Sequence, residues 1–96
     1  MTHKIKLYIE YCDAVLRGDK TFEVRWDDRN YKRGDLINFI PVVSGGLPLE
    51  HPIKNKTYEI TYVLSGWGIK EGYCVFSIKK HRLSLRSLLI KMLERS

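Results

Sequence analysis

The sequence predicts a mainly β domain of the α+β class: a small barrel of about five strands, mostly antiparallel, with a short helix early and another added at the C-terminus. Three observations carry this. Apolar and polar residues alternate in several short runs, the period of a half-buried strand. Glycine, proline and Asp/Asn-rich turns separate those runs at close intervals. Helical spacing shows in only two stretches, one near each end. A chain of 96 residues suffices for one modest core, and its 44% hydrophobic and 29% charged content is that of a globular domain rather than a disordered segment.

The elements follow in order. His3 to Ile9 alternates, with Ile5, Leu7 and Ile9 against Lys4, Lys6 and Tyr8, and reads as a first strand. Glu10 to Arg17 reads as a short helix whose Tyr11, Ala14 and Val15 share a face toward the core. Gly18 ends it, because glycine takes the left-handed cap conformation without a steric penalty. Asp19 and Lys20 turn into a second strand, with Phe22, Val24 and Trp26 on the side expected to be core and Thr21, Glu23 and Arg25 on the other. Asp27 to Gly34 is polar and turn-rich, an expected exposed loop. Leu36 to Val43 is a third strand, placed at an edge or ending at Pro41, which has no donor for a ladder.

Ser44 to Asn55, with Gly45-Gly46, Pro48 and Pro52, reads as a long irregular loop of the kind that is often functional. Lys56 to Leu64 alternates Tyr58, Ile60, Tyr62 and Leu64 against Thr57, Glu59, Thr61 and Val63. A glycine-punctuated turn from Ser65 to Gly72 leads to the last strand, Tyr73 to Lys79, with Cys74, Phe76 and Ile78 inward. The barrel thus occupies residues 1–80. In residues 81–96 Ser84 offers an N-cap, and Leu85, Leu88, Leu89, Met92 and Leu93 make an apolar helical stripe beside Arg82, Arg86, Lys91 and Arg95. This helix either packs on the barrel or serves residues 82–96 as a surface for a protein partner or a second copy.

Composition limits the function classes. A net charge of +6 favours an anionic partner, nucleic acid among them. Cys12 and Cys74 match no metal or disulfide spacing and read as buried reduced thiols in a cytoplasmic protein. His3, His51 and His81 are dispersed, so no metal site and no cofactor is expected. No apolar run reaches membrane-spanning length and no signal peptide is visible, so no membrane association is expected.

The chemistry concentrates at Gly18-Asp19-Lys20-Thr21-Phe22-Glu23-Val24-Arg25. An amine, a hydroxyl, a carboxylate and a guanidinium converge where a helix meets a strand. Such a network can orient a ligand, with Lys20 or Arg25 on a phosphate and Glu23 accepting from a base amino group. It can equally satisfy polar groups at a barrel mouth. Lys20 would be a nucleophile or base only if burial or neighbouring cations depressed its pKa. In the loop that follows, Arg29, Lys32 and Arg33 are candidate phosphate contacts, Tyr31 a candidate base-stacking ring, and Asp28 a partner for Arg29. Trp67, in Gly66-Trp67-Gly68, is a further candidate cover for a base.

These residues resemble the ASCH superfamily, built on the PUA-like barrel, whose motif G-x-K-x-x-E-x-R is complete here as Gly18, Lys20, Glu23 and Arg25. The likeness to its compact prokaryotic and phage-type members extends over His3, Lys6, Tyr11, Ala14-Val15, Asp28-Arg29, Tyr31 and Gly34-Asp35. It continues through Ile60 to Leu64 and Gly72-Tyr73, in all roughly residues 3 to 79. The resemblance implies a PUA-like pseudo-barrel with a cleft lined by Lys20, Glu23 and Arg25, with Lys6 a further candidate ligand contact, and a ligand that is RNA, a nucleotide or a modified base. Some small members are amidohydrolases acting on an acylated cytidine, with the motif lysine, a strand threonine and a glutamate as catalytic groups. Lys20 matches that lysine; Glu23 holds the threonine's position and Thr21 lies two residues earlier; the acid's helical segment has no match here, and Glu71, in the turn before the last strand, stands in for it by position alone. A small hydrolase or nuclease using Lys20, Glu23 and Thr21 is therefore the enzymatic alternative.

Overall fold

A computed structural model describes residues 1–81 and 92–94. The order is β1 (Thr2–Tyr8), α1 (Ile9–Arg17), β2 (Phe22–Trp26), β3 (Leu36–Val42), a 3-10 turn (Pro52–Asn55), β4 (Tyr58–Leu64) and β5 (Tyr73–Lys80). The five strands form one sheet in the order β1-β3-β4-β5-β2, so the expected mainly β architecture with an early helix is present. The helix expected from residue 82 onward lies outside the described residues, except that Met92 to Glu94 are helical.

Local chemistry explains most of the elements. On β1, His3, Ile5 and Leu7 are buried and the lysines between them exposed, as alternation requires. The helix begins one residue earlier than expected and turns Cys12 and Val15 into the core, leaving Tyr11 half exposed. Gly18 closes it at φ 84°, its N–H reaching the Val15 carbonyl at 3.1 Å, which is the left-handed cap expected of it. Ile37, Phe39, Ile53, Ile60, Cys74 and Phe76 join Ile5, Leu7, Cys12 and Val15 in the core, together with Tyr31, Tyr58 and Ile78.

Five expectations are corrected. First, α1 turns Tyr11 outward, 44% exposed, where helical spacing placed it on the core face; the ladders themselves are mostly antiparallel as expected, with β1 and β3 pairing in parallel, Thr2 with Leu36 through Tyr8 with Val42, and the other three antiparallel. Second, β3 is an interior strand rather than an edge one, although it does finish next to Pro41, at Val42. Pro41 is accommodated because β4 pairs only with Leu36 and Ile37, and Pro41 turns toward the following loop, where its carbonyl accepts from the Leu49 N–H at 3.1 Å. Third, residues 44–55 are less irregular than their composition suggests. The chain doubles back, with Val42 bridged to Pro48, and the 3-10 turn plants Ile53 in the core.

Fourth, β4 changes face part-way. A bulge between Ile60 and Tyr62 puts an extra residue in the ladder, so Val63 packs on the core and Tyr62 and Leu64 point outward. Fifth, and most consequential, β2 lies the other way up. Phe22, Val24 and Trp26 are 48%, 54% and 56% exposed, while Glu23 is 3% exposed. The register explains this. Glu23 stands opposite Phe76 and Arg25 opposite Cys74, both on the interior face of β5. Gly72, at φ 85°, has no room for a side chain because an added Cβ would fall on the Trp26 indole, which stands edge-on to Tyr73.

β1 and β2 end the sheet, and side chains span the gap between them. The Arg25 guanidinium donates to the Lys6 carbonyl and that of Arg29 to the Lys4 carbonyl, each at 2.7 Å. These contacts answer acceptors that a terminal strand would otherwise leave open. Both cysteines are free and buried. Burial, with Asp13 and Glu23 nearby, pushes the Cys12 thiol up to about 11, and burial raises that of Cys74 as well.

A polar cluster fastens the start of β3. Asp35 accepts from buried His3, whose Nε2 lies 2.8 Å away, from the Lys32 N–H at 3.1 Å and from the Met1 amino group at 3.4 Å. Burial alone would raise its pKa, but these donors outweigh it and hold the carboxyl below its ordinary value. A depressed folded-state pKa stabilises the fold above the unfolded value, about 4, and that contribution disappears as pH falls through the folded pKa. Asp35→Asn is therefore expected to cost about 1–3 kcal/mol near neutral pH and progressively less below about pH 4. Urea midpoints of both proteins from pH 7 to pH 2.5 check this; a pH-independent difference would refute it.

Candidate functional site

The site grows from the inversion of β2. The left-handed turn at Gly18 sends the chain back beside α1, and Asp19 and Lys20 both donate their N–H to the Ala14 carbonyl. This sets Lys20 at the mouth of the sheet. Its amine donates to the Phe22 carbonyl at 2.8 Å and to Glu23 Oε2. The other carboxylate oxygen, Oε1, accepts from Arg25 Nη2 at 2.6 Å. Glu23 is thus buried between two cations, with side chains 20% and 24% exposed, and both of its oxygens are engaged. A buried carboxylate needs such partners to remain charged.

Above this network opens a cleft of about 490 Å³. Glu23, Lys20 and Arg25 line it together with the rings of Tyr8, Tyr11 and Phe22, and Leu7, Val24 and Val42 give it apolar surface. The Lys20 amine sits 5.2 Å from the Phe22 ring centre and 5.5 Å from that of Tyr11, within cation–π range of both. Lys6 and Gly46 contribute at the rim, so the 44–55 segment reaches the cleft. The ionic groups lining it are Lys6, Lys20 and Arg25 against Glu23, an excess of two positive charges. An anionic ligand with a flat ring suits such a lining.

The structure therefore brings together Lys6, Lys20, Glu23 and Arg25 of the expected residues. It does not bring the others to the cleft. Thr21 is exposed, with its backbone carbonyl accepting from the Ile78 N–H at 2.9 Å, and it borders a separate hollow beside α1. Tyr31, expected to stack on a base, is 6% exposed, its ring 4.8 Å from that of His3 and 4.7 Å from that of Phe76. It is a core residue with no open face. Asp28 is exposed near the end of β2, and Arg29 is occupied at the Lys4 carbonyl. Trp67 is 91% exposed at the turn between β4 and β5 and does not line the cleft. Glu71 is exposed in the same turn.

Sequence reasoning missed the aromatic walls. Tyr11 looked like core because it shares helical spacing with Ala14 and Val15, and Phe22 because it alternates with a carboxylate. Their phenyl groups bracketing a motif lysine were the available signal. Among the described residues no three His, Cys, Asp or Glu side chains gather as metal ligands, and no helix is long and apolar enough to cross a membrane.

Residues 2–78 match a family described as a domain of unknown function, DUF3850. The chain belongs to that family. The match covers β1 through most of β5, so this DUF3850 domain includes the whole cleft. A curated relative, an uncharacterized 12.9 kDa protein in the GpA 3' region of Escherichia phage P2, is 51% identical over 35 residues. The similarity covers 36% of the DUF3850 chain and 32% of the phage protein, about a third of each.

Proposed function

We propose that this DUF3850 protein is an ASCH-type, PUA-like domain that binds RNA, or a nucleotide or modified base, in the cleft over Lys20, Glu23 and Arg25. The observation that carries the reading is the buried Glu23 carboxylate, clamped by two cations beneath three aromatic rings. A flat base has aromatic surface to stack on, the excess positive charge attracts phosphate, and the fixed carboxylate can accept from an exocyclic amine. The complete G-x-K-x-x-E-x-R motif supports the same reading. Binding is favoured over a hydrolytic or nucleolytic role for Lys20. Its amine is a donor to Glu23 and to the Phe22 carbonyl, as in a structural ion pair, and the position of the hydrolytic members' threonine is held by the buried, doubly paired Glu23.

The test is an NMR titration of labelled protein with nucleosides, acylated cytidine and a short single-stranded RNA. Amide shifts at residues 20–25 on RNA addition are expected, with no consumption of any nucleoside. Phe22→Ala and Tyr11→Ala change half-exposed side chains and should leave the fold intact. Each should weaken RNA binding by about 5- to 150-fold, the value of one stacking contact at about 1–3 kcal/mol. Unchanged affinity in both variants refutes the cleft as the site, and turnover of acylated cytidine lost in Lys20→Met makes the protein an enzyme.

A further inference from the structure

The outward face of β1 carries two lysines, Lys4 and Lys6, whose amines have no hydrogen-bond or ion-pair partner among the described residues. Same-face residues of a strand are separated by about 6.6 Å, a step comparable to that between successive phosphates of an extended single strand. Lys6 stands at the cleft rim, where a Cβ on Gly46 would lie 3.7 Å from its amine. Lys4 borders a second cavity, of about 470 Å³, between β3 and the 48–57 segment. Arg29, exposed and anchored on the Lys4 carbonyl, adds a third cation to this line.

The second cavity has the character of a base subsite. Ile40, Pro48 and Leu49 give it apolar surface, and Asn38 gives it a side-chain amide. Its carboxylate, Glu50, is ion-paired with Lys54, four residues on. A row of cations joining two ring-sized hollows matches a polymer with regularly spaced anions and flat side groups. An acidic peptide offers the charges but not the rings.

We propose that single-stranded RNA leaves the cleft along β1, with successive phosphates on Lys6 and on Lys4 with Arg29, and lodges a flanking base in the second cavity. The inference rests on the RNA reading of the cleft and extends it from one nucleotide to several.

Fluorescence anisotropy with a labelled random-sequence RNA hexamer tests it, alongside calorimetry with the four nucleoside monophosphates. The hexamer should bind at least about tenfold tighter than the best monophosphate. Lys4→Ala alters an exposed side chain outside the cleft. It should weaken the hexamer several-fold, flatten the slope of log affinity against log salt by about 0.7, and leave the monophosphate unaffected. Lys4→Glu should act in the same direction and more strongly. A hexamer no tighter than the monophosphate, or one indifferent to both Lys4 variants, overturns the path while the cleft reading stands. Binding of neither probe overturns both.

Discussion

Glu23→Ala is expected to lower the stability of the domain by about 3 kcal/mol, and Glu23→Gln by less. The carboxylate is the acceptor that holds both Lys20 and Arg25. Removing one member of a buried ionic cluster typically costs about 3–5 kcal/mol, because the charges left behind lose their partner without regaining full hydration. The lower end applies here because water still reaches the two cations, about a fifth to a quarter exposed. Glutamine keeps an acceptor oxygen for one cation but turns an NH2 toward the other. The network reading also requires non-additivity. Arg25→Ala should cost less in the Glu23→Ala background than in the natural protein, since its main partner is already gone. Urea denaturation of the four proteins in that cycle measures the coupling, and strictly additive losses would show that Glu23 and Arg25 do not act together.

Tyr31→Ala is expected to be as damaging, by about 3–5 kcal/mol, and to act on folding rather than on ligand affinity. The ring lies against His3 and Phe76 in the core, so truncation leaves a cavity there. Tyr31→Phe keeps the ring and should stay within about 1 kcal/mol. The two variants separate a packing role from a stacking role. If Tyr31→Ala denatures at the natural urea midpoint and yet loses RNA affinity, the ring serves the ligand and the packing account is wrong.

The strands were legible because alternation survives in the sequence whatever the strand packs against. Which face turned inward was not. On β2 both faces carry large side chains, and nothing between Phe22 and Trp26 tells which one meets Phe76 and Cys74. That is decided by the register with β5, some fifty residues on. The β4 bulge is hidden for a similar reason: Thr61 suits a regular strand as well as a bulged one, and the change of side shows only in the ladder. Tyr31 sits in a run of charged and turn-forming residues that dictates an exposed loop, while the ring itself leaves that loop. By contrast, the motif residues were placed correctly at a helix-to-strand junction, because the Gly18 cap is a local property. The walls of the cleft come from three segments, and only their folding together reveals them.

The pairing of β2 with β5 has a consequence for how the protein is made. The motif ends at Arg25, yet the strand that holds it in register, Tyr73–Lys80, comes nearly fifty residues later. β1 is likewise without its ladder partner until Leu36–Val42 has been added. During synthesis, which proceeds from the N-terminus, Lys20, Glu23 and Arg25 therefore emerge well before the strand that organises them. A nascent or truncated chain lacking β5 carries the complete motif as a sequence without having it as a site.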